Sequence, residues 1–98
     1  MLHTVNKSPF ERNAFDACLT HAEKGSAVLL FEDAVYAVTK GTAPGNRVAG
    51  AELKIFVLGP DLKARGYDAG QVVEGVTVVD YGGFVDLVVE YGPVTAWL

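Results

Sequence analysis

The sequence predicts an α/β protein: a three-layer sandwich with helices on both faces of a mostly parallel central sheet. Two observations predict it. Short apolar strands alternate with helical stretches along the whole chain. The strands also lack the in-out alternation of a sheet with one wet face. Ser26–Phe31 (SAVLLF) shows no polar alternation, as a strand covered on both sides requires. At 98 residues the length fits one domain, spanning 1–98.

The elements follow in order. Met1–Val5 reads as an inner strand. Ser8-Pro9-Phe10-Glu11 reads as a helix start, with Ser8 as cap, Pro9 in the first helical position and Glu11 closing a capping box. Phe10, Ala14, Phe15, Cys18, Leu19 and Ala22 fall at i, i+3/i+4 spacing and form one apolar face. Lys24 and Gly25 end that helix. Ser26–Phe31 is the second strand. Asp33–Thr39 is a short helix, apolar nearly all round, which must be buried on every side by the fold or by a partner.

Lys40–Gly50 (KGTAPGNRVAG) holds three glycines and a proline and reads as a flexible loop. Lys54–Leu58 is the third strand, closed by Gly59-Pro60. Asp61–Arg65 is a helical turn ended by Gly66, and Tyr67–Gly75 is loop. Val76–Tyr81 is the fourth strand. Gly82-Gly83 turns the chain into a helix over Phe84–Tyr91, Gly92-Pro93 breaks it, and Val94–Leu98 is a terminal strand. For so few strands a flavodoxin-like order is expected, with ligands at the carboxyl ends of the strands.

Composition narrows the function classes. Net charge is −4 with no basic stripe, which argues against direct nucleic-acid binding. The first residues, MLHTVNKSPFER, hold no signal-peptide core, and the longest apolar run, Ala27–Phe31, is too short to span a bilayer. With a single cysteine, this points to a soluble cytoplasmic protein without a membrane partner. Half of the residues are apolar and mean hydropathy is +0.24, rich for a small monomer, so an oligomer is expected.

Cys18 is the leading candidate for chemistry. A lone thiol cannot form an internal disulfide or hold a structural zinc, so it is either a small buried hydrophobe or a reactive sulfur. Its apolar helical neighbours favour burial. His21, one turn on, could favour a thiolate, whereas the second half of a helix disfavours one. The two histidines, His3 and His21, are too few for a metal site, and no cofactor is signalled. Gly41–Gly50 matches neither a P-loop nor a dinucleotide spacing. The Gly82-Gly83 amides could meet an anion, and Glu32-Asp33 could act as an acid pair. A tight turn and a solvated helix start are the plainer readings.

Four stretches, MLHTVNKSPFER, LLFEDAVYAV, VLGPDLKARG and VDYGGFVDLVVEYGPVTAWL, cover most of the chain in order. Jointly they resemble the DsrH/TusB family of DsrE-like sulfur-relay proteins, closest to DsrH; Lys40–Glu52 matches poorly. The resemblance implies a DsrE-like fold and a subunit that joins DsrE-like and DsrF-like subunits in a heterohexamer. That complex passes persulfide sulfur to a DsrC/TusE-like carrier, in sulfur oxidation or toward 2-thiouridine in tRNA. It places the family's DsrH-type cysteine on the first helix, where Cys18 stands, as a candidate sulfur carrier. TusB-type chains can lack that cysteine, which tilts the reading toward sulfur oxidation and also leaves room for a purely structural subunit. Helix Asp33–Thr39 and the segment Val94–Leu98, with Trp97, are the expected subunit contacts.

Overall fold

In the computed structural model, which describes residues 1–98, five parallel strands form one sheet. They are β1 (Leu2–Val5), β2 (Ala27–Leu30), β3 (Lys54–Leu58), β4 (Thr77–Val79) and β5 (Val94–Trp97), in the order β4-β3-β2-β1-β5. The α/β sandwich class is as expected. The strand order is not the flavodoxin one: β1 to β4 step outward one by one, and β5 then returns to pair with β1, Val5 opposite Trp97.

That order sets the layers. With right-handed crossovers, the connections from β1 through β4 fall on one face and the last one falls on the other. The first face carries α1 (Ala14–His21), a 3-10 helix (Glu32–Val38), α2 (Ala43–Gly50) and α3 (Gly59–Ala64). The second carries α4 (Tyr81–Tyr91) alone. Two unequal cores result. Val5, Phe15, Cys18, Val28, Val35 and Val57 belong to the larger, whereas Leu2, Ala27, Leu29 and Leu87 form the smaller one beneath α4.

Several elements differ from the sequence reading, each for a physical reason. The first helix begins at Ala14. Ser8 instead closes a turn, its hydroxyl accepting from the Phe10 amide at 3.2 Å, and Phe10 is left exposed off the apolar face. The segment read as a flexible loop contains α2. Thr42 caps it, accepting from the Gly45 amide at 3.1 Å, and Pro44 falls in its first turn. Gly45 is there for packing: a Cβ would lie 2.2 Å from the Thr39 carbonyl oxygen. The apolar helix expected at a subunit contact is the 3-10 helix, and its Ala34, Val35, Ala37 and Val38 are fully buried by the chain's own fold.

Candidate functional site around Cys18

Helix α1 packs on β1 and presents Ala14, Phe15 and Cys18 to the larger core, the face that the i, i+3/i+4 spacing marks. Cys18 is 0% exposed. Burial disfavours the charged form, so the thiol is pushed up to about 12. At neutral pH the sulfur is therefore held as the protonated thiol, whereas the thiolate is the nucleophile.

His21 does not serve the thiol. It is exposed, and its ring stacks on Trp97, with centroids 6.3 Å apart and planes at 6°. Trp97 in turn donates its indole N–H to His3 Nδ1 at 3.0 Å. His3 is buried, and desolvation, followed by the N-terminal ammonium, lowers its pKa, with Glu23 opposing. His3, His21 and Glu23 share a cavity of about 240 Å³ with Met1 and Ser26. No group of three or more His, Cys, Asp or Glu side chains comes together as a metal site would need.

The remaining candidates are occupied within the chain. At Gly82-Gly83 the Asp80 carboxylate caps α4 and accepts from the Gly83 amide at 2.8 Å, so an anion is already in place. The Glu32-Asp33 pair is split. Asp33 binds Arg65 through Nε at 3.0 Å and Nη2 at 2.8 Å, while the Glu32 amide donates to Asp61 Oδ2 at 2.6 Å. Glu32 takes a positive φ of 49°, a conformation that L residues seldom adopt. This network ties the carboxyl end of β2 to both ends of α3, through Asp61 in its first turn and Arg65 at its carboxyl cap. Sequence reasoning did not foresee it, because its partners lie about thirty positions apart with no local signature.

A second feature missed from sequence is Asn6, directly after β1. Its Oδ1 is buried and lacks a hydrogen-bond partner. It stands at the carboxyl end of β1, which lies between β2 and β5 in the sheet. No helix is long and apolar enough to cross a membrane.

Comparisons with known proteins agree with this architecture. The family described as "DsrH like protein" matches residues 7–94. The curated Protein TusB of Pectobacterium parmentieri is 35% identical over 97 residues, covering 99% of this chain and 100% of that protein. Protein TusB of Escherichia coli K12 matches with the same identity and coverage. Among solved structures, the ychN protein of Escherichia coli has a TM-score of 0.71 at 12% identity, covering 97% of each chain. A protein of unknown function from Methanobacterium thermoautotrophicum has a TM-score of 0.69 at 16% identity, covering 97% of this chain and 96% of that one. Those two likenesses show the shared fold. The family match and the full-length relatives show kinship, and the chain belongs to the DsrH-like family, with the TusB proteins among its relatives.

Proposed function

We propose that this chain is the TusB-type subunit of a cytoplasmic sulfur-relay complex, in which persulfide sulfur passes between cysteines toward 2-thiouridine in tRNA. One observation carries the reading: 35% identity to TusB proteins over 97 residues, with almost all of both chains aligned. Its partners are DsrE-like and DsrF-like subunits in a heterohexamer and a DsrC/TusE-like carrier. The protein makes no direct contact with nucleic acid, in keeping with a net charge of −4.

Within the complex, the geometry supports a non-catalytic role for this subunit. In persulfide transfer an accessible thiolate takes the outer sulfur of a donor persulfide, and the donor cysteine leaves as thiolate. Cys18 has neither the access nor the charge for that step in the closed fold. Its burial supports a packing role, with the transferring cysteines on the partner subunits.

Deleting the gene and measuring 2-thiouridine in tRNA tests this. We expect thiolation to fall and to be restored equally by the wild-type chain and by Cys18→Ala. Unchanged thiolation in the deletion would overturn the tRNA reading. Assembly without restoration by Cys18→Ala would make Cys18 a sulfur carrier. The second reading is a DsrH-type subunit of sulfur oxidation, favoured by a cysteine on the first helix. It requires the deletion to slow oxidation of reduced sulfur compounds while leaving tRNA thiolation unchanged.

A further inference from the structure

Leu2 and its register partner Val94 lie on the same side of the sheet. Leu2 is fully buried in the core with Leu87 of α4, whereas Val94 is 45% exposed. One helix therefore shields β1 and leaves the edge strand β5 bare. On its outward side, α4 presents Val85 at 61% exposure and Val89 at 81%, four residues apart and so on one face. Tyr81, one turn earlier, is 62% exposed, and Leu98 extends from β5 at 82%. The helix is apolar toward solvent as well as toward the core, a pattern that calls for a covering surface.

The charges select what covers it. Asp86 and Glu90 are the charged side chains of α4, one turn apart, and its cap is Asp80; the helix holds no lysine or arginine. A second copy docked antiparallel about a two-fold axis would set its own Asp86–Glu90 row against this one, like charge on like charge. The geometry points to α4, with the adjoining β5 edge, as the docking face for a different protein chain, one whose apolar surface is bordered by lysine or arginine. This rests on the proposed role as a subunit and names the face through which that role is exercised. Of the two segments expected at subunit contacts, it drops Asp33–Thr39, which the fold itself buries, keeps Val94–Leu98 and adds α4 beside it.

The test is co-expression with the DsrE-like and DsrF-like subunits, followed by co-purification. For Val85→Glu/Val89→Glu, whose side chains point to solvent, recovery of partners should fall at least tenfold with the circular dichroism of the chain unchanged. Asp86→Lys/Glu90→Lys leaves the apolar residues in place and should also weaken the complex, and this weakening should shrink as salt is raised. If the valine variant unfolds, the charge-reversed variant decides: a loss of partners supports the docking face, and full recovery overturns it. A wild-type complex that survives both variants overturns the docking face alone. Failure of the wild-type chain to assemble with either subunit overturns the subunit reading and the docking face together. A homodimer that the valine variant disrupts overturns the basic-rimmed partner in favour of a second copy.

Discussion

The indole N–H of Trp97 donates to His3 Nδ1 at 3.0 Å, closing a contact between residues 94 positions apart in sequence. It fastens the edge strand β5 to the inner strand β1 through side chains as well as through their backbone ladder. Because a tryptophan N–H can only donate, His3 Nδ1 must be unprotonated, so the neutral ring carries its proton on Nε2. Protonating the second nitrogen removes the acceptor. The bond is therefore incompatible with imidazolium, which agrees in direction with the pKa lowered by burial.

Stability should accordingly depend on pH through His3. In the unfolded chain the imidazole takes up its proton near its ordinary pKa of about 6.5; in the folded chain it does so at lower pH. Between those two values the unfolded state binds more protons, so stability is fully present above about 6.5 and is lost as pH falls below it. Thermal unfolding from pH 7.5 to 5.5 should show Tm declining with acid for the wild type. The decline should be shallower for His3→Gln. Trp97→Phe should cost about 1 kcal/mol at pH 7, for one hydrogen bond, and should speed amide exchange in β5. Equal acid sensitivity of the wild type and His3→Gln would remove His3 as the cause.

Cys18 should be silent to reagents in the folded chain. With full burial and a pKa pushed up to about 12, labelling by iodoacetamide at pH 8 should be slow and should become fast in denaturant. Cys18→Ser places a hydroxyl without a partner in the same space and should cost about 1–3 kcal/mol, read from urea unfolding. Fast native labelling would mean that α1 opens often enough to expose the thiol.

Gly45 and Gly50 lie on the same short helix and should respond oppositely to alanine. A Cβ at Gly45 would sit 2.2 Å from the Thr39 carbonyl oxygen, so Gly45→Ala must shift backbone and should cost about 1–3 kcal/mol. Nothing lies within 4 Å of a Cβ at Gly50, and Gly50→Ala should gain about 0.5–1 kcal/mol from reduced freedom of the unfolded chain. Denaturant unfolding of the two variants reads both signs.

Those two glycines also show where the sequence was legible and where it was not. The apolar runs of β2 and β3 and the alternation with helices were enough for the class of fold, because burial on both faces leaves a local signature. The face of α1 was likewise readable, and Cys18 lies on its buried side. Glycine and proline in Lys40–Gly50 masked α2, because the reason for Gly45 is the Thr39 carbonyl packed against it, a tertiary fact. Thr42 before Ala43-Pro44 was the local signal that could have found the helix. The return of β5 to β1, and with it the meeting of His3, His21 and Trp97, depends on long-range pairing that no window of sequence contains. The apolar outer face of α4 was visible as composition, but its exposure became apparent only once the sheet was seen to have a single helix on that side.

The carboxyl end of β2 should be sensitive to Asp61. Its carboxylate accepts the Glu32 amide at 2.6 Å, at a residue whose φ of 49° is unfavourable for any side chain with a Cβ. The bond thus offsets local backbone strain, and Asp33–Arg65 clamps the next residue to the other end of α3. Removing the acceptor leaves the strain unopposed, so Asp61→Ala should cost about 1–2 kcal/mol, a charge-assisted bond discounted for partial exposure. Asp61→Asn keeps an acceptor oxygen and should lose less. Glu32→Gly relaxes the positive φ and should recover part of the loss when combined with Asp61→Ala. A double-mutant cycle in urea measures the coupling between the two positions, and strictly additive effects would show that strain and bond are independent.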